Sequence, residues 1–218
     1  MHDLFENRVA AGRQLAAVLR GMALADPVVL ALPRGGVPVA VEVARALKAP
    51  LDLLLVRKIG APSQPELAIA AVADGPEPDL EVDQTTLAYS GATMEHVRRE
   101  MPYHLKEIER RRRLYLQGRA SLPVEGRTAV LIDDGIATGT TMRAAIKLLR
   151  KRRPARIVLA VPVAPAEEAA QLRAEVDDFV CLATPTFFGS VGAHYRDFDQ
   201  TSDDEVVALM REAAAPPA

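Results

Sequence analysis

The stretch Ala129–Met142, AVLIDDGIATGTTM, decides how the rest of the chain is read. With Thr128 it begins as a short apolar run, TAVLI, of strand length and strand composition. Two adjacent carboxylates, Asp133 and Asp134, end that run, and Gly135 to Thr141 lead into a helix-length segment. Each part has a physical use. Small residues let main-chain N–H groups converge on an anion, Thr138, Thr140 and Thr141 add hydroxyls, and a helix start carries positive potential. Carboxylates accept hydrogen bonds from neighbouring sugar hydroxyls. A phosphate cradle beside paired acids describes a ribose 5-phosphate. Alone, Asp-Asp-Gly is also an ordinary turn and the threonines also cap helices; the order strand, acids, loop, helix is what favours a site. A P-loop would need Gly-Lys-Ser/Thr where Gly139-Thr140 stands, and no G-x-G-x-x-G occurs.

Working outward, Pro27–Leu32 (PVVLAL), Leu51–Val56 (LDLLLV), Ile157–Val161 and Phe179–Leu182 repeat the apolar strand pattern. Runs apolar at nearly every position belong to sheets covered on both faces. Helix-length stretches separate them: VPVAVEVARAL after Pro-Arg-Gly-Gly, Thr140–Arg152 and Pro165–Glu175. The expectation is an α/β fold, an open parallel sheet of about five strands with helices on both faces. One domain over 1–218 is expected, with a core near 27–60 and 127–183. A flexible loop and helical insert would fill 61–126, and 1–26 with 184–218 would form a cover or hood. In the insert, APSQPE and AIAAVADGPEPD read as loops and turns. Met94, Val97, Met101, Leu105, Ile108 and Tyr115 then trace one helical face, in which Pro102 should kink the helix or begin a new one. Ser202 and Glu205 have capping-box spacing before a last helix.

Composition narrows the function. The 218 residues are 49% hydrophobic and 26% charged, enough to bury a sizeable core. Lys and Arg (27) nearly balance Asp and Glu (29), so no global field recruits nucleic acid or membrane, and an anion must meet a local site. A lone cysteine, Cys181, excludes an internal disulfide framework and reads as a buried strand residue. His2, His96, His104 and His194 lack metal-ligand spacing, so no protein-held metal is expected. No run approaches a membrane span and MHDLFENR lacks a signal pattern, so the expected location is cytoplasmic. Arg110–Arg113 is a basic run, but Glu107 and Glu109 stand four residues before Arg111 and Arg113, which favours a solvated, charge-laced face.

The motif AVLIDDGIATGTTM resembles the signature of type I phosphoribosyltransferases, which bind phosphoribosyl pyrophosphate (PRPP). VRKIGAPSQPELAIAAVADG and VGAHYRDFDQTSDDEV are similar to a bacterial subgroup whose acceptor is undefined. The resemblance implies Mg²⁺-dependent transfer of the phosphoribosyl group to a small heterocyclic acceptor with release of pyrophosphate. Asp133 and Asp134 would bind the ribose, and Ala137, Thr138, Gly139, Thr140 and Thr141 the 5-phosphate. Arg34, Gly35 and Gly36 would hold pyrophosphate, in a loop that in this family often contains a non-proline cis peptide. A mobile loop carrying Lys58 and Glu66 would close over PRPP. Ala137 stands where many purine-salvage members have an aspartate, which moves the general-base role toward Glu66; a helix N-terminal acid is the other reading. Phe187, Phe188 and Tyr195 either stack the acceptor or pack the tail on the core. Magnesium would arrive with PRPP, held through its oxygens and water. The rival function is a non-catalytic PRPP- or nucleotide-binding regulator. Oligomeric state is left open.

Overall fold

A computed structural model describes residues 4–73 and 79–214, apart from the Glu66 side chain. In chain order the elements are α1 (Arg8–Arg20), β1 (Pro27–Ala31), α2 (Gly36–Leu47), β2 (Leu51–Leu53), β3 (Val56–Ala61), β4 (Gln64–Ala73) and β5 (Asp79–Val82). There follow α3 (Gln84–Tyr89), α4 (Met94–Leu116), β6 (Thr128–Ile132), α5 (Thr140–Lys151), β7 (Arg156–Val163), α6 (Ala166–Arg173), β8 (Asp178–Ala183) and α7 (Asp203–Ala214).

The expected parallel sheet is present, five strands in the order β2-β1-β6-β7-β8. Alternate residues of its central strands enter two separate cores. Val29, Ala31, Val130, Ile132 and Val158 join the layer built with α1, α2 and α7, while Val28, Leu30, Leu131 and Leu159 face α5 and α6. Burial on both faces is why these strands read as unbroken apolar runs. α5 shows the matching helix pattern: Met142, Ala145, Ile146 and Leu149 are buried on one face, and Arg153 at φ 52° and Pro154 follow its end. Edge strand β8 is half-buried throughout, so Cys181 is half-buried rather than enclosed; its thiol donates to Ala183 O at 3.1 Å.

The insert differs from the sequence expectation. Leu51–Val56 divides: β2 ends at Leu53, and β3 departs into a second, antiparallel sheet, β3-β4-β5. Residues read as loop, including AIAAVA, form part of β4. Alanine has low strand propensity, and tertiary packing overrides it. Ile69 and Val72 enter the main core, while Ala71 and Ala73 lie against Leu148 of α5. The helix beyond is one element of 23 residues that continues through Pro102. Pro102 is exposed, and the face carrying Val97, Met101, Leu105 and Ile108 packs on the core. That burial offsets the roughly 3 kcal/mol cost of an internal proline. The expected ion pairs form, with Glu107 accepting from Arg110 and Arg111, each at 2.8 Å, and Glu109 pairing with Arg113, but Arg111 and Arg112 are half-buried rather than solvated.

The segment before α1 meets the tail that precedes α7. Leu4 and Phe5 N–H groups donate to His194 O at 3.0 Å, and Arg196 N–H donates to Phe5 O at 2.9 Å. α7 packs on α2 and α4, and Ser202 Oγ accepts from Glu205 N–H at 3.1 Å, one half of the expected capping box.

Candidate functional site

Asp133 and Asp134 follow the carboxyl end of β6, where open α/β sheets present ligand sites. Leu32 N–H donates to Ile132 O at 3.0 Å, so the Pro33–Gly36 loop leaves β1 directly over the acids. That approach explains its glycines. A Cβ on Gly36 would lie 2.9 Å from Asp133 Cα and from Ile132 O, and one on Gly35 would overlap the Asp134 carboxylate. The Pro33–Arg34 peptide is cis. Arg34 reaches toward α7, 3.5 Å from Asp203, which also accepts from Tyr115 Oη at 2.6 Å. Burial raises the phenol of Tyr115 to about 12, with the Asp203 hydrogen bond adding to it.

The adjacent acids have different surroundings. Burial pushes the Asp133 carboxyl well above the usual range, and the neighbouring Asp134 charge adds to the rise. Burial also raises Asp134, but the Arg8 guanidinium opposes it. Asp133 lines a cavity of about 130 Å³ with Pro33, Arg57, Arg111 and Thr141; Asp134 is absent from its wall. Instead, Asp134 Oδ2 accepts from Arg8 Nε at 2.8 Å, and its main-chain oxygen accepts from Tyr195 Oη at 2.6 Å.

Residues 137–141 form the turn into α5, with Gly139 at φ +67° as its N-cap. Ala137, Thr138 and Thr141 are exposed. The amides of a first helical turn have no intrahelical acceptor, so the turn can receive an anion. Arg143 braces it from behind: Nη1 donates to Thr138 O at 3.1 Å, Nη2 to Glu168 at 2.6 Å and Nε to Glu175 at 3.1 Å.

Arg57 and Lys58 separate because successive strand residues face opposite sides. Arg57 faces the Asp133 cavity and donates to His104 Nδ1 at 3.3 Å. Lys58 lines a larger cavity of about 310 Å³ between the antiparallel sheet and α5, with Glu81, Thr140, Arg143 and Lys147. Lys58 therefore does not share the cavity of Asp133. Glu66 lies in β4, and the expectation for its carboxyl falls outside the described residues.

The tail aromatics separate too. Phe187 is 82% exposed, Phe188 packs on His194 at 5.2 Å, and Tyr195 is buried between Phe5 and Phe198 at 5.2 and 5.0 Å. Tyr195 thus packs the tail on the core, whereas Phe187 stands exposed. Sequence reasoning missed Arg8, Arg111 and Arg143. The first two sit in helices whose arginines look solvated, and only tertiary packing brings them to the acids or their cavity. Among the described residues no group of three or more His, Cys, Asp or Glu side chains could hold a metal, and no helix is long and apolar enough to cross a membrane.

A provisionally named phosphoribosyl transferase of Mycobacterium tuberculosis, in strains CDC 1551 and H37Rv, is 47% identical over 211 residues, 96% of this chain and 47% of the relative. The chain thus spans about half the length of the curated relatives it matches. The bifunctional protein PyrR of Chloroflexus aurantiacus is 38% identical over 99 residues, 44% of this chain and 52% of that protein. The crystal structure of TT1426 from Thermus thermophilus superposes with a TM-score of 0.86 at 42% identity, covering 97% of this chain and 99% of that one. The model of the phosphoribosyl transferase domain family matches residues 4–197, and the chain belongs to that family.

Proposed function

We propose that the chain is a pentosyltransferase that moves the 5-phosphoribosyl group of PRPP to a nitrogenous heterocycle or similar acceptor and releases pyrophosphate. The observation that carries this reading is the Asp133 carboxylate, which opens on the 130 Å³ cavity beside Thr141 and two arginines. The turn at 137–141 takes the 5-phosphate, and Asp133 and Asp134 set the ribose. Pyrophosphate lies toward the Pro33–Gly36 loop, where Arg57 and Arg111 neutralise it.

The bond from the anomeric carbon to the pyrophosphate oxygen breaks with its electron pair leaving on pyrophosphate, and the acceptor nitrogen supplies the pair for the new bond. Glu66 is the candidate base for the acceptor's proton. The carbon passes through an oxocarbenium-like state, so the cavity must exclude water while it forms. Asp133 is a hard oxygen donor on the cavity wall and suits Mg²⁺, which keeps waters and binds through substrate oxygens; when bound it would supply charge neutralisation to the phosphates. Phe187 is the tail ring available to an acceptor.

The test is a panel of purines, pyrimidines and other heterocycles assayed for PRPP-dependent pyrophosphate release with Mg²⁺. Turnover with at least one acceptor, abolished by EDTA, is expected. PRPP binding without turnover on any acceptor favours the regulatory reading instead.

A further inference from the structure

We infer that the cavity of about 310 Å³ between the antiparallel sheet and α5 is a second ligand site, separate from the Asp133 cavity, and that it takes a small apolar molecule carrying one carboxylate.

Strand register builds one wall and helical spacing the other. Lys58 of β3 pairs with Ala71 of β4, and Ala71 pairs with Glu81 of β5. Paired residues of neighbouring strands point to the same face, so these three form one row turned toward α5. Across the gap, Thr140, Arg143, Ala144 and Lys147 stand at i, i+3, i+4 and i+7, a single stripe of the helix. The methyl groups of Ala71 and Ala144 are too short to fill the space that the longer side chains around them hold open. Its volume lies at the small end of ligand pockets, which span roughly 300–1,000 Å³.

The charges select the ligand. Three cations line the cavity, and two of them are engaged. Arg143 donates to Glu168, Gln171, Glu175 and the Thr138 carbonyl. Lys147 lies 3.7 Å from Glu81, which Lys151 also approaches at 3.2 Å. Lys58 is half-buried and has no hydrogen-bond or ion-pair partner among the described residues. Glu81 stands two strands away, roughly 10 Å between main chains, and is taken by the lysines of α5. An ammonium partly withdrawn from water without a partner favours an anion. One negative charge fits better than two, because Glu81 and Asp83 line the edge opposite Lys58 and repel a second. A carboxylate on Lys58 then lays its body over Leu67, Ala71 and Ala144, whose side chains offer no hydrogen bond.

The site abuts the 137–141 turn. Thr140 belongs to both, with its Oγ1 3.3 Å from Thr138 Oγ1, and Arg143 braces the Thr138 carbonyl from the cavity side. Where that turn holds the 5-phosphate, a consequence that rests on the PRPP-site reading, a carboxylate in the cavity adds negative charge behind it. The two ligands should then oppose each other, by the same factor in each direction.

Titration of the isotope-labelled full chain, followed by main-chain magnetic-resonance signals, tests the site with benzoate, cyclohexanecarboxylate and their uncharged carboxamides. The carboxylates should bind with dissociation constants of about 1 mM or lower and move the signals of Lys58, Ala71 and Ala144, and the carboxamides should bind at least about tenfold more weakly. Lys58→Met keeps an apolar stem, and Ala144→Leu fills the cavity with a good helix former; each should weaken benzoate about tenfold, with thermal unfolding to verify folding. Asp133→Asn should bind benzoate as the parent does. Failure of both carboxylates to move those signals overturns the site, as does unchanged benzoate affinity in folded Lys58→Met. Loss of benzoate binding in folded Asp133→Asn would put the ligand in the other cavity and overturn it too. If Lys58→Met does not fold, Ala144→Leu and the carboxamides decide. Saturating benzoate should also weaken ribose 5-phosphate about threefold in the parent, and the same concentration should leave it unchanged in Lys58→Met. Unchanged or tighter ribose 5-phosphate binding in the parent overturns the coupling. A parent chain that binds benzoate but not ribose 5-phosphate removes the PRPP-site reading and the coupling, while the second site stands.

Discussion

At the residue scale the site is defined by close approach and by charge placed out of water. The Pro33–Gly36 loop can lie on the acids only because Gly35 and Gly36 carry no Cβ, so Gly35→Ala should displace the Asp134 carboxylate and weaken PRPP binding about tenfold or more, measured by titration. Asp133 gives a pH signature. Its folded pKa is raised by burial, so as pH rises above the unfolded value, about 3.9, the unfolded chain loses its proton first. The folded state then binds more protons, and stability falls with rising pH until the raised folded value is passed. Asparagine cannot ionise, so ligand-free Asp133→Asn should melt higher than the parent at pH 7.5 and lose that advantage near pH 3.5. Each kcal/mol recovered should raise the melting temperature by about 2–4 °C at this length, read by calorimetry. Equal melting temperatures at pH 7.5 would show that the carboxyl is not strained by burial. The motif that named these acids was fully legible, because its chemistry is contiguous. Arg8 was not, because it stands 126 positions from its partner.

At the element scale the parallel strands and their helices were legible for a simple reason: strands covered on both faces, and helices with one apolar face, leave strong periodic patterns. The antiparallel sheet left none. β4 holds four alanines among its ten residues, and what makes it a strand is the flat contact with α5 through Ala71 and Ala73, which has no local signature. Missing that strand also hid its consequence, that alternation along β3 sends Arg57 and Lys58 to different cavities. Arg57→Ala should therefore weaken pyrophosphate and PRPP about tenfold, roughly 1.4 kcal/mol, while Lys58→Ala leaves both nearly unchanged. The reverse order in titrations would mean that the β3–β4 hairpin rearranges on binding and brings Lys58 over the ligand. Arg143→Ala should loosen the 137–141 turn and weaken inorganic phosphate together with PRPP, since it removes the brace on Thr138 O.

At the scale of the whole molecule, the site is assembled from distant parts of the chain: β6 and its turn, the loop after β1, Arg57 of β3, Arg111 of α4, and Arg8 of α1 with the tail. A ligand that draws on all of them should stabilise the whole. PRPP with Mg²⁺ at about one hundred times its dissociation constant contributes roughly 2.7 kcal/mol to the folded state, or about 5–10 °C at this length. The most direct measurement of whether Asp133 holds the ribose of PRPP is a calorimetric titration of PRPP and Mg²⁺ into the parent chain and into folded Asp133→Asn. One saturable site per chain is expected in the parent, with an affinity at least about tenfold lower in the variant, because a charge-assisted bond to the ribose is lost. No saturable binding to the parent, or equal affinity in the two proteins, would contradict it.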